Sequence, residues 1–122
     1  MRVLVVDDDE GMADVMVMTV QRAGHEVELA VNGAQAMDLV AQDGFDLVIS
    51  DVLMSYMDGL ELIPKLREKL PGAKIIAVSG GGRYSDTGML LVMAKDIGAD
   101  RVLPKPFSPQ QLIDLMDELV HA

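Results

Sequence analysis

Three short runs, VLVV from Val3, LVIS from Leu47 and IIAV from Ile75, are apolar without alternation. A strand with one face in water alternates, so a continuous run of this length marks a strand covered on both faces. Runs of this kind, separated by amphipathic stretches of helical length, are what βα units around a parallel sheet require. Strands are expected at residues 2–7, 26–30, 47–51, 74–79 and 101–103, with five helices around them. The second strand alternates more, as an edge should. The last helix is the best marked: Leu112, Leu115, Met116 and Leu119 follow three-and-four spacing, with Ser108 and Pro109 as N-cap and first-turn residue. Turn signals at Ala23-Gly24, Asn32-Gly33, Asp43-Gly44, Pro71-Gly72 and Gly98-Ala99 separate the units.

A chain of 122 residues that is 50% hydrophobic can bury one core but has no room for two ordinary domains, so residues 1–122 are read as one. Its longest unbroken apolar stretch, residues 89–94, is far short of a membrane span, and the N-terminal residues carry no secretory pattern. A soluble, cytoplasmic protein without membrane insertion is expected. There are no cysteines, which excludes disulfides, thiolate chemistry and sulfur-held zinc. A formal charge of −10 argues against direct binding to DNA or to anionic membranes, since both need a basic footprint. The same acidity suits a site for a divalent cation, and it equally suits solubility.

In an open α/β sheet, ligands sit outside the carboxyl ends of the strands. The polar residues found there are Asp7, Asp8 and Asp9 where the first strand ends, Asp51 at the end of the third, Ser79 at the end of the fourth and Lys105 beyond the fifth. Each has a plain structural reading. Asp8, Asp9 and Glu10 favour the positive end of a following helix, Asp51 and Ser79 can begin turns, and Lys105 can be an ordinary surface lysine. Their coincidence on one edge points further, because clustered carboxylates repel unless a cation or a function holds them. Hard oxygen ligands without His or Cys indicate Mg²⁺ or a similar cation. Such a set is half-built for phosphoryl transfer, with a carboxylate nucleophile and cationic or hydrogen-bonding partners for the phosphoryl oxygens. His25 and His121 stand too isolated to serve as acid–base residues or metal ligands.

Taken together, VLVVDDDE, DLVISDVLMSYMDGLEL, IIAVSG and GADRVLPKPF resemble the receiver domains of bacterial two-component response regulators over essentially the whole chain. That resemblance implies a flavodoxin-like, doubly wound α/β fold with a five-stranded parallel sheet in the order 2-1-3-4-5. It implies Asp51 as phosphoacceptor, Mg²⁺ held directly by Asp8, Asp51 and the backbone carbonyl of Leu53, and Asp7 acting through a water. Ser79, the backbone of Gly80 and Lys105 would contact the phosphoryl group, and Lys105-Pro106 would be cis. The implied donor is a sensor histidine kinase or a histidine phosphotransfer protein, and a downstream target protein would receive the signal. A receiver is not a multiple-turnover enzyme, although it assists its own phosphoryl transfer and dephosphorylation. The alternative, an aspartyl-phosphate phosphatase or phosphotransferase on a related sheet, needs a second acid two residues after the nucleophile, where this chain has Leu53.

Four positions depart from the resemblance. Ser55 replaces a common proline after the phosphoacceptor, and Val102 replaces an aromatic of the fifth strand. Pro64 falls inside the third helix, where a kink or delayed start is expected. The segment from Ser79 to Lys105 is long, with the excess in GGGRYSDTG, which lacks the Lys-Ser or Lys-Thr of a phosphate-binding P-loop. The apolar residues 89–93 are wider than one helical face, so this fourth-helix region is expected either to expose a partner surface or to be covered by the long loop.

Overall fold

Successive residues of a strand point to opposite faces, and that geometry divides the core of this protein in two. The computed structural model describes residues 1–52, 59–80, 92 and 95–120, with backbone alone at 59, 60, 79 and 80. In chain order the elements are β1 (Arg2–Val6), α1 (Glu10–Arg22), β2 (Glu26–Ala30), α2 (Gly33–Gln42), β3 (Leu47–Asp51), α3 (Gly59–Lys69), β4 (Lys74–Gly80), β5 (Arg101–Lys105) and α4 (Pro109–Val120). All neighbouring strands pair in parallel, in the order β2-β1-β3-β4-β5. On one face Val3, Val5, Ile49, Ile76 and Val78 pack with Met16 and Val20 of α1 and with Leu112, Met116 and Leu119 of α4. On the other, Leu4, Val6, Val48, Ile75 and Ala77 pack with Ala36 and Val40 of α2 and Leu62, Ile63 and Leu66 of α3. Each fully buried aliphatic contributes about 1.5–3 kcal/mol relative to exposure, so both layers are needed to hold the sheet.

Several expectations are corrected at their ends. β1 stops at Val6, one residue early, although the N–H of Asp7 still donates to the carbonyl of Ala30 at 3.1 Å. β4 gains Gly80, and β5 runs two residues past the expected 103, through Pro104 to Lys105. Proline cannot donate to a ladder but is tolerated on an edge strand, and β5 is that edge. The described residues contain four helices rather than the five expected. Between β4 and β5 only residues 92 and 95–100 are described, and residues 92, 95 and 96 there are helical. The start of α3 is not delayed by Pro64: the helix runs from Gly59 to Lys69 with the exposed proline inside it. Leu115 is only partly buried, packed against the edge of the core that Leu112, Met116 and Leu119 enter.

The strand starts are tied together at the opposite pole from the strand ends. Arg67, in the last turn of α3, donates to the carbonyl of Gly98 at 2.8 Å, to that of Ala73 and to Asp100 Oδ2 at 2.6 Å. The same Asp100 oxygen accepts from the backbone of Ile75 at 2.8 Å. Gly98 has φ +129°, a conformation that disfavours any side chain, and it presents its carbonyl to the guanidinium. Between α3 and β4 the chain turns through Pro71 and Gly72, both exposed, with Ala73 N–H donating to the carbonyl of Leu70 at 3.1 Å.

Candidate functional site

Register brings the chemistry together. Val6 lies level with Ser50 on the neighbouring strand, so the next residues, Asp7 and Asp51, emerge side by side. Asp51 in turn lies level with Val78, and Gly80 with Lys105. Continuous apolar strands carry these residues to one rim, and the first polar residue after each run is held where the sheet ends. Asp7 is fully buried and Asp51 nearly so, at 0% and 5% exposure. One carboxylate oxygen from each of Asp7, Asp8 and Asp51 lies within 4.8 Å of the others. Lys105 Nζ donates to Asp51 Oδ2 at 3.0 Å and to Asp7 Oδ2 at 3.4 Å, with its side chain 15% exposed.

Among the described residues, three carboxylates and one ammonium meet at this rim. The Asp7 carboxyl shows the effect: burial, reinforced by the charge of Asp51, pushes its pKa up to about 6, against the opposing pull of the Asp9 N–H and of Lys105. Burial also presses the Lys105 ammonium downward, but its bond to Asp51 and the charges of Asp51 and Asp7 outweigh that and leave its pKa raised. A hard, compact divalent cation fits this set of carboxylate oxygen donors.

The expected site residues separate into three groups. Asp7, Asp8, Asp51 and Lys105 are brought together. Ser79 and Gly80 reach the same rim through their backbones, level with Pro104 and Lys105 of β5. Leu53, like Ser55, Gly81, Arg83 and most of residues 89–93, lies outside the described residues. Within that last run Val92 is described, and it is 61% exposed. The Lys105-Pro106 peptide is cis, as the resemblance implied. His25 lies at the far pole, where its Nδ1 is 3.2 Å from the N-terminal amine.

Asp9 and Glu10 belong to the helix rather than to the carboxylate cluster. Asp9 is the N-cap of α1, and Glu10 is the acidic residue of its first turn. The residue-by-residue reading missed one link: the backbone N–H of Asp9 donates to Asp7 Oδ1 at 2.9 Å. An aspartate just ahead of a helical pattern is the sequence signal for the cap, but no residue type signals the N–H contact, since every non-proline residue carries that group.

The family model for the response regulator receiver domain matches residues 3–117. The response regulator MprA of Mycolicibacterium vanbaalenii is 37% identical over 119 residues, covering 98% of this chain and 50% of that protein. MprA of Mycobacterium avium is 36% identical over 120 residues, covering 98% and 51%. The chain thus spans about half the length of the curated relatives it matches. Among solved structures, a CheY-like receiver domain protein from Methanospirillum hungatei is 30% identical with a TM-score of 0.88, over 98% of this chain and 93% of that one. A response regulator from Burkholderia pseudomallei, solved with a phosphorylated aspartic acid, a calcium ion and citrate, is 29% identical with a TM-score of 0.81, over 92% and 64%.

Proposed function

Because the chain belongs to the response regulator receiver domain family, we propose that it accepts a phosphoryl group on Asp51 from a phosphohistidine donor, with Mg²⁺ as the required cation. The observation that carries this reading is the contact of Lys105 Nζ with Asp51 Oδ2 at 3.0 Å, inside a rim where three carboxylates converge. In the reaction an Asp51 carboxylate oxygen attacks phosphorus in line with the leaving imidazole. The P–O bond forms as the P–N bond breaks, and the imidazole nitrogen keeps the electron pair and takes up a proton from water.

The chain's own groups divide the remaining work. β3 holds Asp51 at its end, and the Lys105 ammonium offsets charge on the acceptor before transfer and on the phosphoryl oxygens after it. Asp8, Asp51 and the Leu53 carbonyl are the proposed direct ligands of the cation, with Asp7 acting through a water. Mg²⁺, when bound, supplies positive charge against both the carboxylates and the incoming phosphoryl oxygens. The Ser79 hydroxyl and the Gly80 N–H are proposed as further donors to those oxygens. A sensor histidine kinase or histidine phosphotransfer protein is the proposed donor, and the region that includes exposed Val92 is the proposed route to a downstream target. This domain acts as a phosphoacceptor that assists its own modification and its reversal, in the cytoplasm, and its acidity disfavours a direct contact with DNA.

Incubation with a small acyl phosphate, with and without Mg²⁺, followed by intact mass and mapping of the modified residue, tests the reading. Modification at Asp51 only with the cation, and its loss in Asp51→Asn, is the expected result. Labelling of Asp51→Asn at the wild-type level rejects the assignment.

A further inference from the structure

Asp9 belongs to two bonding sets at once. Its Oδ1 accepts from the backbone N–H groups of Gly11 at 3.1 Å and Met12 at 3.3 Å, and its carbonyl accepts the N–H of Ala13 at 2.8 Å. These bonds hold the residue at φ −89°, ψ 108°, the extended geometry of an N-cap. Its own N–H faces the other way, onto Asp7 Oδ1 at 2.9 Å. The second oxygen of Asp7 is held by Lys105 at 3.4 Å, so the shorter of these two restraints on the buried carboxylate comes from Asp9. The direction of a backbone N–H is tied to its own residue's φ, and here that angle is held by a side chain that lies outside the carboxylate cluster.

We infer that Asp9 is a positioning residue: by capping α1 it fixes the aim of its own N–H, and through that N–H it orients the Asp7 carboxylate toward the cation. The inference rests on the cation-dependent reading above. Groups that orient a ligand from behind commonly change metal affinity by about 10–100-fold when removed. The contribution assigned here is one of geometry, so it separates from the charge of Asp9. Asn keeps the cap without the charge, while Ala loses both.

The test is equilibrium titration with Mg²⁺ alone, followed by backbone amide resonances, on wild type, Asp9→Asn, Asp9→Ala and Asn32→Ala, with urea unfolding of each. Asn32 caps α2 through the N–H of Gln35 at 2.8 Å, so Asn32→Ala removes a comparable cap outside the carboxylate cluster. Asp9→Ala is expected to bind Mg²⁺ about tenfold more weakly than Asp9→Asn. Asn32→Ala is expected to lose a similar amount of stability and to keep wild-type affinity. Where Asp9→Ala does not fold, Asp9→Gly makes the same comparison, since glycine is tolerated at an N-cap but has no side chain to hold it. Equal affinities in the Asn and Ala variants, or equal weakening in Asn32→Ala, overturn the inference while leaving the functional reading intact. A wild-type protein that binds no Mg²⁺ overturns both.

Discussion

Asp7 holds a carboxyl group with no exposed surface, next to Asp51 and only 3.4 Å from the ammonium that partly offsets it. Its folded-state pKa of about 6 lies above the ordinary 3.8, so folding takes up a proton in that window. The stability associated with this group is therefore fully present below 3.8, is lost as pH rises through about 6, and stays lost above it. In metal-free protein Asp7→Asn is expected to raise stability at pH 7 by about 1–3 kcal/mol and to change it little at pH 4. Urea unfolding at the two pH values measures this, and an unchanged midpoint at pH 7 would mean that Lys105 already compensates the buried charge. The identities of Asp7, Asp51 and Lys105 were legible in the sequence because strand ends collect ligands, and register then set them side by side. The structural share of Asp9 was only half legible, since its side chain announces a cap while its N–H announces nothing.

Elements were legible where one periodicity dominated and less so where a residue broke it. The fifth strand is expected to end at Leu103, yet it runs on through Pro104 to Lys105, since proline is tolerated on an edge strand. Because Pro64 cannot donate to the carbonyl of Leu60, a kink or a delayed start is expected in α3, yet the helix begins at Gly59 and Leu62, Ile63 and Leu66 bury one face on either side of the proline. That burial offsets a local defect of about 3 kcal/mol. Pro64→Ala restores the N–H at an exposed position and is expected to stabilise the protein by about 1–3 kcal/mol in urea unfolding. A destabilised variant would show that the proline fits its place better than the helix ladder requires. At the start of α4 the cap was legible but its reciprocal half was not. Gln111 N–H donates to Ser108 Oγ at 3.2 Å, while Gln111 Oε1 accepts from Ser108 N–H at 2.7 Å. The Ser-x-x-Gln spacing carries that capping box, which the apolar pattern alone does not reveal.

At the scale of the molecule, the two rims of the sheet have opposite characters. One gathers like charges on buried carboxylates, and the other is fastened by Arg67 across α3, β4 and the approach to β5. Arg67→Met would take a donor from Asp100 and from the carbonyls of Pro71, Ala73 and Gly98, and is expected to cost about 1–3 kcal/mol, reduced from the buried-pair value because both side chains are partly exposed. Phosphoryl acceptance at Asp51 should survive that change, and a loss of acceptance in a folded variant would show that the two rims are coupled. The fastened rim also settles a practical matter. Gly72, in the exposed turn beside that clasp, has open space where a Cβ would stand, and the chain contains no cysteine. Gly72→Cys therefore places a single thiol on the end of the molecule away from Asp51, an attachment point from which a dye or a surface tether can hold the protein while its carboxylate rim stays open to solution.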